Sequence, residues 1–347
     1  MTNPPTLPPG SINFVWLPGK TYAGVQEQIF SLIEECLPPK AVVHTVGDAV
    51  AGALSLSLFI RQGREELKVR TPADIVMAHG IADKRYFFIR ESETDRPLVN
   101  QYKFIFVPGA WHVNRLVEGR FRRNPIYQIQ LRDDQIRKVG WLRLDPLLAI
   151  PETSENNYQK QLRVLWAPTH NMVAAKGKNP ETAEATPSSF PRFHKHKWTM
   201  RWKYNYQISV HPRNRKSKVP TGEQLVWADV VISDFGTMVF EAWALGKPVI
   251  FPRWCIDVAT IIGRNPLSAE AYIYKNRIGL HPESPSEMHQ MLKVIKQAQQ
   301  TGDTKDLRGH DVARFVDHYI DPKTRGSDAQ RTADELIRIA LQELNAS

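Results

Sequence analysis

Short apolar runs alternate along this chain with longer segments in which apolar residues recur at helical spacing. The runs are rich in Val, Ile and Phe and are bounded by Gly, Pro or polar residues, a composition typical of buried strands. The predicted strands are Ile12–Leu17, Ala41–His44, Ile75–Ala78, Phe104–Val107, Arg163–Trp166, Gln207–Val210, Val230–Ile232 and Val249–Phe251. Helical spacing predicts helices at Tyr22–Leu37, Gly47–Arg61, Trp111–Glu118, Met238–Leu245, Pro285–Ile295 and Ser327–Leu344. This alternation predicts parallel α/β sheets, in which ligands bind at the carboxyl ends of the strands.

The clearest unit of this kind is Ala228–Pro252, which reads ADVVISDFGTMVFEAWALGKPVIFP. A strand, a tight polar loop, an apolar helix, a Gly-Lys-Pro stop and a second strand follow one another, which predicts one βαβ unit. The loop opens a helix N-terminus whose backbone N–H groups can bind a phosphate, and Glu241 stands one turn further on, within reach of a ribose. The alternative is that Ser233 and Asp234 only cap the helix and Glu241 is a solvated acid.

Two histidines stand at the ends of predicted strands. His79 follows the strand Ile75–Ala78 and precedes Gly80, so its ring can enter a cleft while the backbone stays closely packed. Imidazole titrates near neutrality and can take a proton from an attacking hydroxyl. The alternative for His79 is a side chain that only bonds to backbone at the strand end. His211 follows the strand Gln207–Val210, where it can donate to a diphosphate.

The length of 347 residues exceeds one typical hydrophobic core, so two domains are expected. The polar segment Glu152–Gln161 predicts the boundary between them. We therefore expect an N-terminal domain over 1–152 on the acceptor side, a nucleotide-binding domain over 153–326, and a C-terminal helix over 327–347. This last helix is expected to pack back on the N-terminal domain.

Composition limits the cellular setting and the partners. Cys36 and Cys255 match no metal or redox spacing, which favours a reducing compartment. The sequence shows no signal peptide and no apolar run of membrane-spanning length, so a cytoplasmic protein is expected. A net charge of +10 favours a polyanionic partner, with solubility alone as the alternative.

A basic and aromatic window lies between Ala185 and Gly222, where the chain has no Asp or Glu. Cations interleaved with aromatic rings suit phosphates and unpaired bases. The cations are Arg192, Lys195, Lys197, Arg201, Lys203, Arg213, Arg215, Lys216 and Lys218. Part of the pattern has a structural interpretation, because Trp198, Trp202 and Tyr206 are four residues apart and predict the buried stripe of a helix.

Several short motifs occur in one order along most of the chain. They are His79-Gly80 with Lys84, Gly140 with Arg143 and Asp145, Ala167-Pro168-Thr169, His211-Pro212, and Ser233-Asp234-Phe235-Gly236-Thr237 with Glu241. This order resembles the CDP-glycerol glycerophosphotransferase family, the teichoic-acid polymerase type of GT-B transferase, over about residues 75–345. The resemblance implies an α/β fold of the GT-B class, with two Rossmann-like domains whose parallel sheets face a central cleft.

The resemblance also implies roles for single residues. His79 matches the general base on the acceptor hydroxyl, and Glu241 matches the acid that faces the donor ribose. The residues expected at the donor diphosphate are His211, Arg213, Ser233, Gly236, Thr237 and Met238. Further candidates for the cleft are Gly80, Lys84, Arg143, Thr169 and Asn171. The chain departs from the family pattern where Gly236-Thr237 replaces two serines, His170-Asn171 replaces an aromatic residue and Arg, and Leu142 replaces a proline.

The resulting hypothesis is a GT-B transferase that moves a glycosyl or glycerol-phosphate group from a CDP- or UDP-linked donor to a hydroxyl of an anionic polymer. No tightly bound cofactor and no divalent metal are expected, because a helix N-terminus and basic groups can stabilise the leaving nucleotide. A phosphate polymer as acceptor implies peripheral contact with the inner membrane face. The open alternatives are a DNA glycosyltransferase acting on a hydroxylated base, a nucleotide-sugar epimerase, and a catalytically inactive polyanion-binding module.

Overall fold

The computed structural model describes residues 7–18, 20–59, 73–82, 97–150, 161–169, 188–209, 221–264, 266–303 and 306–346. The chain divides into two compact units. The first consists of Met1–Pro146 and Asp317–Ser347, and the second is Leu147–Val316.

The strands are β1 (Ile12–Trp16), β2 (Val42–Val46), β3 (Leu54–Phe59), β4 (Ile75–Ala78), β5 (Phe104–Val107), β6 (Ile136–Lys138), β7 (Arg163–Ala167), β8 (Asn205–Ile208), β9 (Val230–Ser233) and β10 (Val249–Ile250). The helices are α1 (Lys20–Glu34), α2 (Ala110–Glu118), α3 (Asp145–Leu148), α4 (Lys197–Lys203), α5 (Thr221–Trp227), α6 (Thr237–Ala244), α7 (Val258–Arg264), α8 (Ala269–Asn276), α9 (Pro285–Thr301), α10 (Val312–Tyr319) and α11 (Asp328–Ala346). Short 3-10 turns include Leu142–Leu144 and Arg192–His196.

The first unit is built on a parallel sheet with the strand order β2-β1-β3-β4-β5-β6. Helices α1 and α11 pack together against it. The rings of Phe14 in β1 and Phe30 in α1 stack at 4.7 Å between centroids, and Leu336 and Ile339 of α11 are buried in the same core. The apolar stripe predicted for the C-terminal helix is therefore the face of α11 that is buried in this core.

The N-terminus of α11 is capped from a distant part of the chain. Asp145 Oδ2 accepts the backbone N–H of Ala329 at 2.7 Å, whereas the Oγ of Ser327 donates to the carbonyl of Thr324 at 3.0 Å. The cap is therefore a carboxylate 184 residues earlier in the chain, and the serine that the sequence favours as a cap does not serve as one.

The second unit is built on a parallel sheet with the strand order β10-β9-β7-β8. Its core contains Trp166 of β7, Val230 and Ile232 of β9, and Leu292 of α9. The predicted strand–helix–strand order within Ala228–Pro252 is confirmed as β9, α6 and β10, with β9 and β10 parallel. The predicted α/β fold with parallel sheets in both halves is likewise confirmed.

The helix predicted over Gly47–Arg61 is wrong. Residues 54–59 form β3, which lies between β1 and β4 in the sheet. Every residue of this strand is buried, including Ser55, whose backbone N–H and Oγ both donate to Asp74 Oδ2. The sequence LSLSLF alternates with the period of a strand, and pairing on both sides outweighs the helix propensity of its leucines.

The buried helical stripe of Trp198, Trp202 and Tyr206 is also wrong. Tyr206 lies in β8 and is buried, whereas Trp198 and Trp202 on α4 are 74% and 79% exposed. The buried residue of this short helix is Met200. Because α4 ends at Lys203, the four-residue spacing does not continue far enough to form a stripe.

Candidate functional site

The loop between β9 and α6 changes direction at Gly236. This residue has φ +99° and ψ −175°, a backbone conformation that is open in practice only to glycine. Helix α6 begins at the next residue, Thr237. The first backbone N–H groups of a helix have no partner within the helix, and together with the helix dipole they favour an anion. Gly236, Thr237 and Met238 thus provide a short row of backbone donors.

A buried carboxylate fixes this loop from behind. Asp234 is fully buried, and its Oδ1 accepts the backbone N–H groups of Thr169 at 2.8 Å and Phe235 at 2.9 Å. Its Oδ2 accepts the N–H of Ser189 at 2.6 Å, the Oγ of Ser189 at 2.9 Å and the Oγ of Ser188 at 3.2 Å. Burial raises the pKa of this carboxyl, and the hydrogen bonds from the backbone oppose that rise. Asp234 therefore ties three segments of the second unit together.

Ser233 is the last residue of β9 and is buried. Its side chain is fully buried, and its Oγ donates to the carbonyl oxygen of Ala167 at 2.7 Å. The hydroxyl is used between neighbouring strands β9 and β7, which corrects the expectation that it holds a phosphate. The backbone that follows, from Gly236 to Met238, remains as the candidate phosphate-binding part of the loop.

Thr169 and Gly236 lie next to each other. A β-carbon built on Gly236 would be 3.9 Å from Thr169 Oγ1, so the threonine hydroxyl borders the loop. The Oγ of Ser188 donates to the backbone carbonyl of Thr169 at 2.9 Å. The structure therefore brings together two residues that the sequence separates by a long segment, and Thr169 belongs to the candidate site.

Glu241 occupies the second turn of α6. It lies four residues after Thr237, hence on the same face of the helix, and it is 2% exposed. It is thus a core-facing acid and not the solvated acid of the alternative interpretation.

Side chains of the second unit pack closely around the loop. They include Phe240, Glu270 and Tyr274, which lie beside Gly236. The phenol of Tyr274 donates to the backbone carbonyl of Asp234 at 2.6 Å, and burial raises the pKa of this phenol well above its usual value. Sequence reasoning missed Tyr274 and the Ser188-Ser189 pair, because neither lies in a strand-end motif.

His79 lies in the first unit, directly after β4. Its Nδ1 is 2.6 Å from the backbone carbonyl oxygen of Phe59 at the end of the neighbouring strand β3. A carbonyl oxygen only accepts, so the proton of the neutral ring sits on Nδ1 and the lone pair on Nε2. The backbone contact of the alternative interpretation is therefore present, and in the neutral ring it leaves the lone pair on Nε2.

Two buried side chains support the turn after His79. Tyr319 is fully buried, and its hydroxyl donates to the carbonyl of Ile81 at 2.6 Å. His112 packs against Tyr319 with 4.6 Å between ring centroids. Burial lowers the pKa of His112 to about 3, while a hydrogen bond with the Ile81 backbone raises it. His112 is thus neutral near pH 7 and supports the turn that carries His79 and Gly80.

Arg143 lies in a different environment of the first unit. Its guanidinium carbon is 5.9 Å from the centroid of the Trp141 ring, and the Trp141 backbone N–H donates to Asp328 Oδ2 at 2.8 Å. Gly140 has φ +78°, and a β-carbon there would overlap the carboxylate of Asp328. The motif from Gly140 to Asp145 therefore joins the first sheet to the start of α11. The remaining predicted site residues, Lys84, Asn171, His211 and Arg213, lie outside the described residues.

The described part of the chain contains no group of three or more His, Cys, Asp or Glu side chains arranged to hold a metal ion. Of the helices in the same residues, none combines the length and the apolar character needed to cross a membrane.

Two parallel α/β units, one with a glycine turn before a helix N-terminus, define a fold of the GT-B class, and comparison with known structures agrees. A structure of the wall teichoic acid polymerase TagF matches with a TM-score of 0.60 and 12% identity, over 97% of this chain and 90% of that chain. A TagF variant soaked with CDPG matches with a TM-score of 0.57 and 11% identity, over 96% and 90% of the two chains.

A UDP-GlcNAc 2-epimerase of Methanocaldococcus jannaschii, in complex with UDP-GlcNAc and UDP, has a TM-score of 0.48 and 12% identity over 94% of this chain and 99% of that chain. No family model and no curated protein sequence matches the chain. The TagF structures confirm the resemblance drawn from the sequence as a likeness of fold.

Proposed function

We propose that this chain is a transferase that uses a nucleotide-diphosphate donor. The observation that carries the proposal is the loop Asp234–Gly236, which a buried carboxylate fixes and a glycine with φ +99° turns into the N-terminus of α6. A fixed row of N–H donors binds a diphosphate without reorganisation, which is the arrangement that stabilises a departing phosphate. The likeness of fold to TagF, one structure of which was soaked with CDPG, supports this assignment.

The donor is proposed to lie along the start of α6. Its diphosphate contacts the backbone N–H groups of Gly236, Thr237 and Met238, with the hydroxyl of Thr169 beside them. Its ribose is directed toward Glu241, one turn further along the helix. Because Glu241 is 2% exposed, binding requires the side chains around it to move. His211 and Arg213 are proposed as further diphosphate contacts on the strength of their motifs alone, and Asn171 is proposed only as a further residue of the cleft.

His79 is proposed as the general base. With Nδ1–H donated to Phe59, Nε2 holds the lone pair that takes the proton of the acceptor hydroxyl. The acceptor oxygen then forms a bond to the transferred glycosyl or glycerol-phosphate group. The bond from that group to the nucleotide leaving group breaks, and its electron pair leaves with the nucleotide. The leaving nucleotide carries negative charge, which the α6 N-terminus stabilises.

The acceptor is proposed to be an anionic polymer. The net charge of +10 supports this choice, because a strongly basic protein attracts a polyanion over long range. We propose that the donor base is cytosine or uracil, as the resemblance implies.

The test is a thermal-unfolding screen of the full chain with CDP, UDP, GDP, CDP-glycerol and UDP-GlcNAc. A ligand that binds only the folded state at a hundred times its Kd stabilises that state by about 2.7 kcal/mol. We expect the compounds that carry one particular base to raise the Tm by several degrees. The glycerol or sugar conjugate of that nucleotide is expected to release the nucleotide when a polymeric acceptor is added. A Tm that none of the five compounds changes would overturn the proposal.

A further inference from the structure

Helix α4 places two tryptophans in solvent, where the sequence predicted a buried stripe. Trp198 and Trp202 are 74% and 79% exposed, and their spacing of four residues puts them on one face of the helix. The opposite side of α4 is held by Met200, which is fully buried. The two rings are thus presented on an anchored helix, and adjacent large apolar side chains left in solvent mark an interaction surface.

Cations lie directly against one of the rings. Lys197 Nζ is 5.3 Å from the centroid of the Trp198 ring, and the guanidinium carbon of Arg201 is 6.0 Å from it. Lys195 and Lys203 are exposed just before and at the end of α4. We call Lys195, Lys197, Trp198, Arg201, Trp202 and Lys203 the aromatic-basic face. Residues 185–222 contain no Asp or Glu, so the neighbouring sequence offers these cations no carboxylate.

We propose that the aromatic-basic face binds single-stranded nucleic acid. Unpaired bases stack on exposed aromatic rings, and Lys and Arg side chains neutralise the phosphates between them. The tryptophans with adjacent cations supply both contacts within two turns of helix. A duplex hides the faces of its bases, so the stacking part of the interaction requires an unpaired strand. The proposal is independent of the proposed transfer reaction.

The side chains of this segment favour nucleic acid over an anionic bilayer. A helix that lies in a membrane interface carries a face of aliphatic and aromatic side chains opposite its cations. Within the described segment 188–209, the exposed large apolar side chains are Trp198 and Trp202, and no aliphatic side chain accompanies them. Aromatic rings together with cations, without aliphatic residues, are the composition of a base-stacking surface.

The experiment is fluorescence anisotropy of a labelled oligothymidylate of about 20 nucleotides, longer than the usual site on a single-strand-binding domain. The full-length chain is titrated at about 50 mM NaCl and at higher salt. We expect Trp198→Ala combined with Trp202→Ala to weaken binding by about tenfold per ring. We expect Arg201→Ala to reduce the slope of log affinity against log salt by about 0.7.

Matched controls separate a specific face from general charge or hydrophobicity. Phe121→Ala removes an aromatic side chain that is 80% exposed in the first unit, and Lys293→Ala removes an exposed lysine from α9. Neither control is expected to change oligothymidylate binding by as much as twofold. The Trp198→Tyr, Trp202→Tyr pair is expected to retain most of the affinity, because it keeps two aromatic rings.

Three results would overturn the proposal. One is an oligothymidylate affinity that the Trp-to-Ala pair leaves unchanged. Another is an absence of binding by the wild-type chain at low salt. The third is Trp-dependent binding to phosphatidylserine vesicles without binding to the oligonucleotide. Quenching of tryptophan fluorescence by oligothymidylate in the wild-type chain provides a measurement that does not depend on the folding of any variant.

Discussion

Asp234 Oδ1 accepts the backbone N–H of Thr169 at 2.8 Å, although the two residues are 65 positions apart in the sequence. This bond joins the ends of two neighbouring parallel strands, β9 and β7. It places the Thr169 hydroxyl beside the Gly236 turn. The candidate site is therefore held in place by a carboxylate that is itself fully buried.

Replacing this carboxylate by an amide should destabilise the second unit. In Asp234→Asn an NH2 group replaces one carboxylate oxygen. Depending on which oxygen is replaced, this group faces either the donors of Thr169 and Phe235 or the donors of Ser188 and Ser189. In both cases buried donors lose their acceptor. We expect a loss of about 2–3 kcal/mol of unfolding free energy, measured by urea denaturation. Asp134→Asn, at an exposed residue paired with Arg132, should leave the denaturation midpoint unchanged. An Asp234→Asn variant as stable as the wild type would show that the carboxylate is not the anchor.

Gly236 should tolerate no side chain, for a conformational reason. A β-carbon there meets only an ordinary contact with Thr169, but φ +99° with ψ −175° strains an alanine by about 1–3 kcal/mol. We expect Gly236→Ala to abolish the nucleotide-induced rise in Tm. The matched control is Gly246→Ala, at φ +74° with open space around it. It should lower stability comparably and keep the nucleotide response, whereas loss of the response in both variants would contradict the assignment.

Removing the imidazole of His79 should separate binding from catalysis. We expect His79→Ala to lower kcat by about 100- to 10,000-fold, the usual contribution of a general base, while the nucleotide-induced Tm shift persists. Enzyme turnover with donor and acceptor is the measurement. His310→Ala removes a surface histidine near Asp311 and should retain full activity. Near-normal turnover by His79→Ala would show that His79 is not the general base and that its role is limited to the strand-end contact with Phe59.

Stability should fall with rising pH because of Asp328. Burial raises the pKa of this carboxyl to about 6, above its unfolded value of about 4. The folded state therefore holds the proton more tightly, so this contribution is complete below about pH 4 and is lost as pH rises through 6. Relative to Asp328→Asn, the wild type should lose about 2 kcal/mol between about pH 4.5 and 7.5.

Urea denaturation at several pH values measures this difference. Asp334→Asn, at an exposed position on the same helix α11, should follow the wild-type pH profile. A constant difference between the wild type and Asp328→Asn across the range would mean that the carboxyl does not titrate differently in the folded state.

The sequence predicted elements well where local pattern and tertiary environment agree. The β-branched run of β9, the glycine turn and the apolar helix α6 each have a local signal, and all were found where expected. The prediction failed at β3, because the alanines and leucines of Gly47–Arg61 suggested a helix whereas pairing on both sides imposed a strand. It also failed at Trp198 and Trp202, because spacing alone does not reveal that α4 ends after two turns.

The sequence by itself determined the fold class, the order of the strand-end motifs and the positions of His79 and Gly236, because strand composition and glycine turns are local properties of the chain. Only the tertiary structure decided which side chains of those motifs are buried and which groups they bond to. It turned Ser233 into the core, made Asp234 an anchor for segments far apart in the sequence, and bound the Gly140–Asp145 motif to α11. Hydrogen bonds between distant segments depend on packing, and no local spacing encodes them.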